Sequence, residues 1–75
     1  MADRRLQVFA TVAKLLSFTK AAEALHMTQP AVTFQIRQLE ESFNTRLFDR
    51  THNRISLTEA AWQVLTAIQK DDLDG

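Results

Sequence analysis

"SFTKAAEALHMTQPAVTFQIRQLEESF", residues 17–43, holds two amphipathic periods separated by three residues, and that spacing decides the fold. In the first period Phe18, Ala21, Ala22 and Leu25 recur at helical intervals, and Ser17 or Thr19 can cap the orphan amides of the opening turn. Its two alanines let another helix approach closely. In the second period Val32, Ile36, Leu39 and Phe43 fall at i, i+4, i+7 and i+11, a single apolar stripe expected to face the core. Between them "HMT" is too short for anything but a sharp helix-to-helix turn. The only glycine is Gly75, so His26 is the residue placed to take positive φ there, a region histidine tolerates better than most. Thr28 is a good N-cap, and Pro30 sits in the first turn, where its missing N–H costs nothing. The spacing therefore predicts a helix from Gln29 to near Asn44, a residue that suits a left-handed helix terminus.

Upstream, Leu6, Phe9, Ala13 and Leu16 form one helical stripe between Asp3 and Leu16, with Val8, Val12 and Leu15 beside it. Downstream the period changes. "RLFDR" and "RISLT" read as two short strands joined at "THN", where His52 and Asn53 suit a turn. Thr58 then caps a fourth helix, "EAAWQVLTAIQK", with Ala61, Leu65 and Ile68 on one stripe and Val64 next to it. The aspartates after Lys70 oppose the helix macrodipole, so residues 71–75 are expected to fray. Three helices and a hairpin, with a tight turn between helices two and three, describe a mainly α winged helix-turn-helix over residues 1–57. A linker or dimerisation helix follows over 58–70.

Composition narrows the functions. Seventy-five residues, 45% hydrophobic and 24% charged, make one small soluble domain with no room for a second or for a deep substrate cleft. Without cysteine there is neither disulfide nor thiolate metal site, and two histidines with scattered carboxylates lack ligand spacing. No glycine-rich loop exists to cradle a phosphate. These features predict no metal, no cofactor and no enzyme. Arg4 and Arg5 ahead of apolar residues imitate a signal peptide, but Gln7 and Lys14 interrupt the run and no cleavage site follows. No stretch approaches the ~18 consecutive apolar residues of a membrane span. The expectation is a cytoplasmic protein. Net charge is zero, yet three of nine acids lie in "DDLDG", so residues 1–70 carry nine Lys and Arg against six Asp and Glu, a net of +3.

The third helix has a second face. Gln29, Thr33 and Arg37 recur at i, i+4 and i+8, with Pro30 and Phe34 on the adjacent row, pointing away from the apolar stripe. These residue types suit a DNA major groove. Glutamine bonds adenine N6 and N7, threonine a base edge or phosphate, arginine guanine or phosphate, and an aromatic ring a thymine methyl. Phe34 equally fits packing against a neighbouring chain or the hairpin. Lys20, Arg50 and Arg54 are candidate phosphate clamps, and His52 a hairpin-tip residue within reach of the minor groove. Trp62 reads as core or dimer packing.

The run from "SFTKAAEAL" through "NTRLFDR", followed by "ISLTEAA", resembles the N-terminal DNA-binding domain of LysR-type bacterial transcriptional regulators. The resemblance covers roughly Leu6 to Ala61 and rests on Ala21, Ala22, Leu25, Gln29, Pro30, Ala31, Ile36, Leu39, Glu40, Leu47, Phe48, Arg50, Leu57 and Thr58. It implies sequence-specific binding to double-stranded DNA at interrupted palindromic promoter sites, in the bacterial cytoplasm and on the nucleoid when bound. It also implies a homodimer, or a dimer of dimers, paired through the fourth helix, here by Trp62, Leu65 and Ile68, and a larger effector-binding domain beyond this chain. By the same resemblance Gln29, Pro30 and Thr33 match base-contacting positions, and Thr28 and Arg37 positions near the backbone or base edges. Four departures stand out. Phe34 replaces a frequent arginine, His52 and Asn53 replace a glycine and arginine in the wing, and Ala61 replaces a glycine. After Val64 and Leu65 the apolar dimer seam gives way to "TAIQKDDLDG". The rival reading, suggested by the neutral charge and by Phe34, is a winged-helix protein-interaction or dimerisation module without DNA binding.

Overall fold

The computed structural model describes residues 4–51 and 54–74, with side chains through residue 68. Among the described residues the order is α1 (Arg4–Leu15), α2 (Phe18–Leu25), α3 (Gln29–Phe43), β1 (Phe48–Thr51), β2 (Arg54–Leu57) and α4 (Glu59–Asp74). The contacts group these into two units, Met1–Asn44 with the first three helices and Thr45–Gly75 with the hairpin and α4.

In the helical unit α1, α2 and α3 pack pairwise on one another. Their shared core is Val8, Phe9, Val12 and Ala13 from α1, Phe18, Ala21 and Ala22 from α2, and Val32, Ile36 and Leu39 from α3. Ala21 is fully buried and Ala22 nearly so, which is how an eight-residue helix lies close to two neighbours. Each of these three helices is followed by a residue with positive φ: Leu16 at 52°, His26 at 57° and Asn44 at 53°. His26 ends α2 by directing its N–H toward the Ala22 and Glu23 carbonyls, and Asn44 ends α3 in the same way on Glu40 and Glu41. Both satisfy helix C-terminal carbonyls otherwise left without partners.

Leu16 corrects an expectation. Predicted on the buried stripe of α1, it is instead the left-handed residue after that helix and is 49% exposed, with Leu15 exposed as well. The cause lies one residue on: Ser17 is extended and caps α2, so the chain must reverse at Leu16, where no glycine stands. Phe43 is a second correction. It shares the angular stripe of Val32, Ile36 and Leu39 but sits in the last residue of α3, where burial ends, and is 44% exposed.

The caps are local and testable. The Lys20 N–H donates to Ser17 Oγ at 3.0 Å, and the Ala31 N–H to Thr28 Oγ1 at 3.3 Å. Ser17→Ala removes the first of these, and N-cap losses of this kind cost about 1 kcal/mol. Thermal denaturation should show a midpoint roughly 4–8 °C lower, as expected for ~1 kcal/mol in a domain of this size. Ser17→Asp, which keeps an acceptor, should stay close to the parent; equal losses in both variants would rule out the cap as the cause.

In the second unit β1 and β2 pair antiparallel, Phe48 opposite Leu57 and Thr51 opposite Arg54. The predicted turn residues His52 and Asn53 lie outside the described residues. Thr58 ties the hairpin's base to α4. Its hydroxyl donates to the Arg46 carbonyl at 2.7 Å, its N–H reaches the Leu47 carbonyl at 3.1 Å, and its Oγ1 accepts from the Ala61 N–H at 3.2 Å. Leu47, Phe48 and Ala61 are buried, and Val64, Leu65 and Ile68 are half-buried. The fourth helix was expected to end at Lys70 and instead continues to Asp74. A helix already nucleated gains one hydrogen bond per added residue, against a dipole penalty of a few tenths of a kcal/mol per aspartate. Gly75 lies outside the described residues.

Candidate nucleic-acid interface

The cap at Thr28 and the turn at His26 set where α3 begins, and thereby which side chains crowd its first turns. Gln29 occupies the first helical position and Pro30 the second, both exposed. Thr33 follows one turn later and is half-buried, while Phe34 is 57% exposed and Arg37 is exposed. With Val32, Ile36 and Leu39 all at or below 2% exposure, α3 is divided cleanly into a packed face and an open one. A phenylalanine on that open face makes no use of the core.

Two of the predicted groove-reading residues touch each other. Gln29 Nε2 donates to Thr33 Oγ1 at 3.2 Å, across a single turn. The i, i+4 spacing was in plain view and is a known geometry for side-chain hydrogen bonds on helices; the sequence expectation treated the two residues as separate readers. Thr28 lies just ahead, its hydroxyl engaged as the cap. Lys20 lies in the first turn of α2 with its backbone N–H held by Ser17, and its side chain is exposed.

In the hairpin unit the register settles how the two arginines point. Side chains alternate across a strand, so Arg50 shares a face with Phe48, Ile55 and Leu57, and Arg54 shares the other with Asp49, Thr51 and Ser56. Arg50 and Arg54 therefore project from opposite faces of the ribbon, a point that residue type alone did not reveal. His52, expected at the tip, lies outside the described residues. On α4 Trp62 is 56% exposed, whereas Leu65 and Ile68 are half-buried.

Residues 4–62 match the family described as "Bacterial regulatory helix-turn-helix protein, lysR family". The chain belongs to the LysR family. It is 48% identical over 62 residues to the HTH-type transcriptional regulator CfxR of Cupriavidus necator, covering 83% of this chain and 20% of that regulator. This LysR-family chain thus spans about a fifth of the length of the curated relative it matches. Among solved structures it is similar to the BenM_DBD/catB site 1 DNA complex, with a TM-score of 0.87 and 32% identity over 99% of this chain and 85% of that one. It is also similar to the CbnR_DBD-DNA complex, with a TM-score of 0.84 and 34% identity over 93% of this chain and 80% of that one. Among the described residues, four helices and a two-stranded antiparallel sheet matching these LysR-family domains make the fold a winged helix-turn-helix, as the sequence implied. Among the described residues, no helix is long and apolar enough to cross a membrane.

Proposed function

We propose that this chain is the sequence-specific DNA-binding part of a bacterial transcriptional regulator and carries no catalytic step. The observation that supports it most directly is the open face of α3. Gln29, Pro30, Thr33, Phe34 and Arg37 bring a bidentate amide, a hydroxyl, an apolar ring and a cation to one helix surface. That set matches what base edges and thymine methyls offer in the major groove. Family membership and the titles of the two DNA complexes support the same reading. Affinity then comes from phosphate contacts by Lys20, Arg50 and Arg54, and by the Gln29 N–H at the start of α3, since Pro30 has no N–H and the Ala31 N–H is held by the Thr28 cap. Opposite-facing Arg50 and Arg54 suit the two walls of a minor groove better than one strand, and His52 is a further candidate for that groove by residue type.

The functional division follows: residues 1–57 read DNA, and 58–70 supply the pairing surface of the fourth helix. Exposed Trp62, with Leu65 and Ile68, is the surface through which a homodimer would set two reading helices on an interrupted palindrome. An effector domain elsewhere in the regulator and a cytoplasmic location belong to the same reading.

The test is a titration of the chain against a randomised duplex library and against the duplexes it selects, at several salt concentrations. The expected result is a selected motif and an affinity that falls with salt. If Lys20, Arg50 and Arg54 each neutralise one phosphate, the log–log slope is roughly −2.7 per protomer from these contacts alone. Indifference to duplex DNA at low salt would overturn the proposal and favour a protein-interaction module built on Phe34.

A further inference from the structure

We infer that Gln29 and Thr33 form one reading unit, in which Thr33 is a positioning residue that holds the Gln29 amide for a base edge; this rests on the DNA-binding reading above. Gln29 stands exposed at the first position of α3, where a glutamine without a partner samples many rotamers and must lose that freedom on meeting a base. Here the hydrogen bond from its Nε2 to Thr33 Oγ1, 3.2 Å across one turn, restrains it beforehand. The anchor is itself stiff, since a β-branched threonine has few χ1 choices in a helix and Thr33 is half-buried.

The chemistry of what remains is specific. A primary amide offers two N–H donors and one carbonyl acceptor. The pairing requires that Thr33 take the N–H remote from Oε1, which leaves the other N–H and Oε1 side by side in the amide plane. That donor and acceptor match adenine, whose N7 accepts and whose N6 donates, and mismatch guanine, whose N7 and O6 both accept. Thr33, having accepted from Gln29, keeps its own hydroxyl proton for an acceptor. The two side chains therefore act as a coupled pair, and the identity of residue 33 governs discrimination at the base pair read by residue 29.

The experiment compares the parent chain, Gln29→Ala, Thr33→Val, Thr33→Ser and the Gln29→Ala/Thr33→Val double variant by selection from a randomised duplex library, followed by competition titration. Thr33→Val keeps the shape and removes the acceptor. It should lower discrimination by about fivefold, the effect of one ordinary hydrogen bond, at the same base pair that Gln29→Ala relaxes. Thr33→Ser should restore it, and the double variant should lose no more there than Gln29→Ala alone. Thr33→Ala, which also lacks the acceptor and favours helix, replaces the valine variant if that one does not fold. The coupling is overturned if the parent selects a motif but Thr33→Val leaves the Gln29 base pair unchanged, if Thr33→Ser fails to restore it, or if the two losses multiply. A parent chain that selects no motif overturns the DNA-binding reading itself, and the coupling with it.

Discussion

Phe9→Ala is expected to destabilise the helical unit by about 3–5 kcal/mol, the range for phenylalanine truncations in packed cores. Phe9 has no exposed surface and is among the largest fully buried side chains. A chain of this size has roughly 4–11 kcal/mol of total stability, so the variant should be largely unfolded or melt some 20–30 °C lower. Leu15→Ala in the same helix is the control. Leu15 is 39% exposed, and losses at such positions stay near or below about 1 kcal/mol. Urea denaturation followed by far-ultraviolet circular dichroism separates the two. If both variants lose the same stability, the burial described for α1 is wrong.

That contrast also marks how far the sequence could be read. Periodicity reports the angle of a residue around a helix axis, and by angle Phe9, Leu15 and Leu16 all belong to one broad apolar side. It does not report where along the axis packing stops. Leu16 is lost to the turn that Ser17 requires, and Phe43 to the last residue of α3. Backbone chemistry was more legible. With no internal glycine available, histidine and asparagine were the natural left-handed residues, and both His26 and Asn44 take that role. Thr28 and Thr58 were recognisable as caps because a hydroxyl ahead of an apolar period has few other uses, and both cap their helices. Thr58's second bond, to the carbonyl of Arg46 twelve residues back, was not recoverable from local pattern. The same holds for the candidate site. The open face of α3 follows from its apolar stripe by subtraction, so Gln29, Thr33, Phe34 and Arg37 could be named. The opposite projection of Arg50 and Arg54 needed the strand register, which a one-residue slip would have reversed.

Gln29→Ala is expected to cost about 1–3 kcal/mol of binding to the selected duplex, a loss of roughly 5- to 150-fold. The loss should be concentrated at one base pair, because the amide is the only group at that helix position able to supply donor and acceptor together. Lys20→Ala should behave differently. An exposed ammonium on α2 reads charge and no base, so its removal should weaken selected and random duplexes alike and reduce the salt slope by about one. The pair of variants thus divides specificity from affinity within the helical unit. Salt separates them further, since the Gln29→Ala loss should persist as ionic strength rises while the Lys20→Ala loss shrinks with the electrostatic term. Measured discrimination between the selected duplex and a single-base-pair substitution set is the decisive quantity. If Lys20→Ala relaxes one position as strongly as Gln29→Ala does, the division of roles between the open face of α3 and the start of α2 is refuted, and base reading must extend beyond the reading helix.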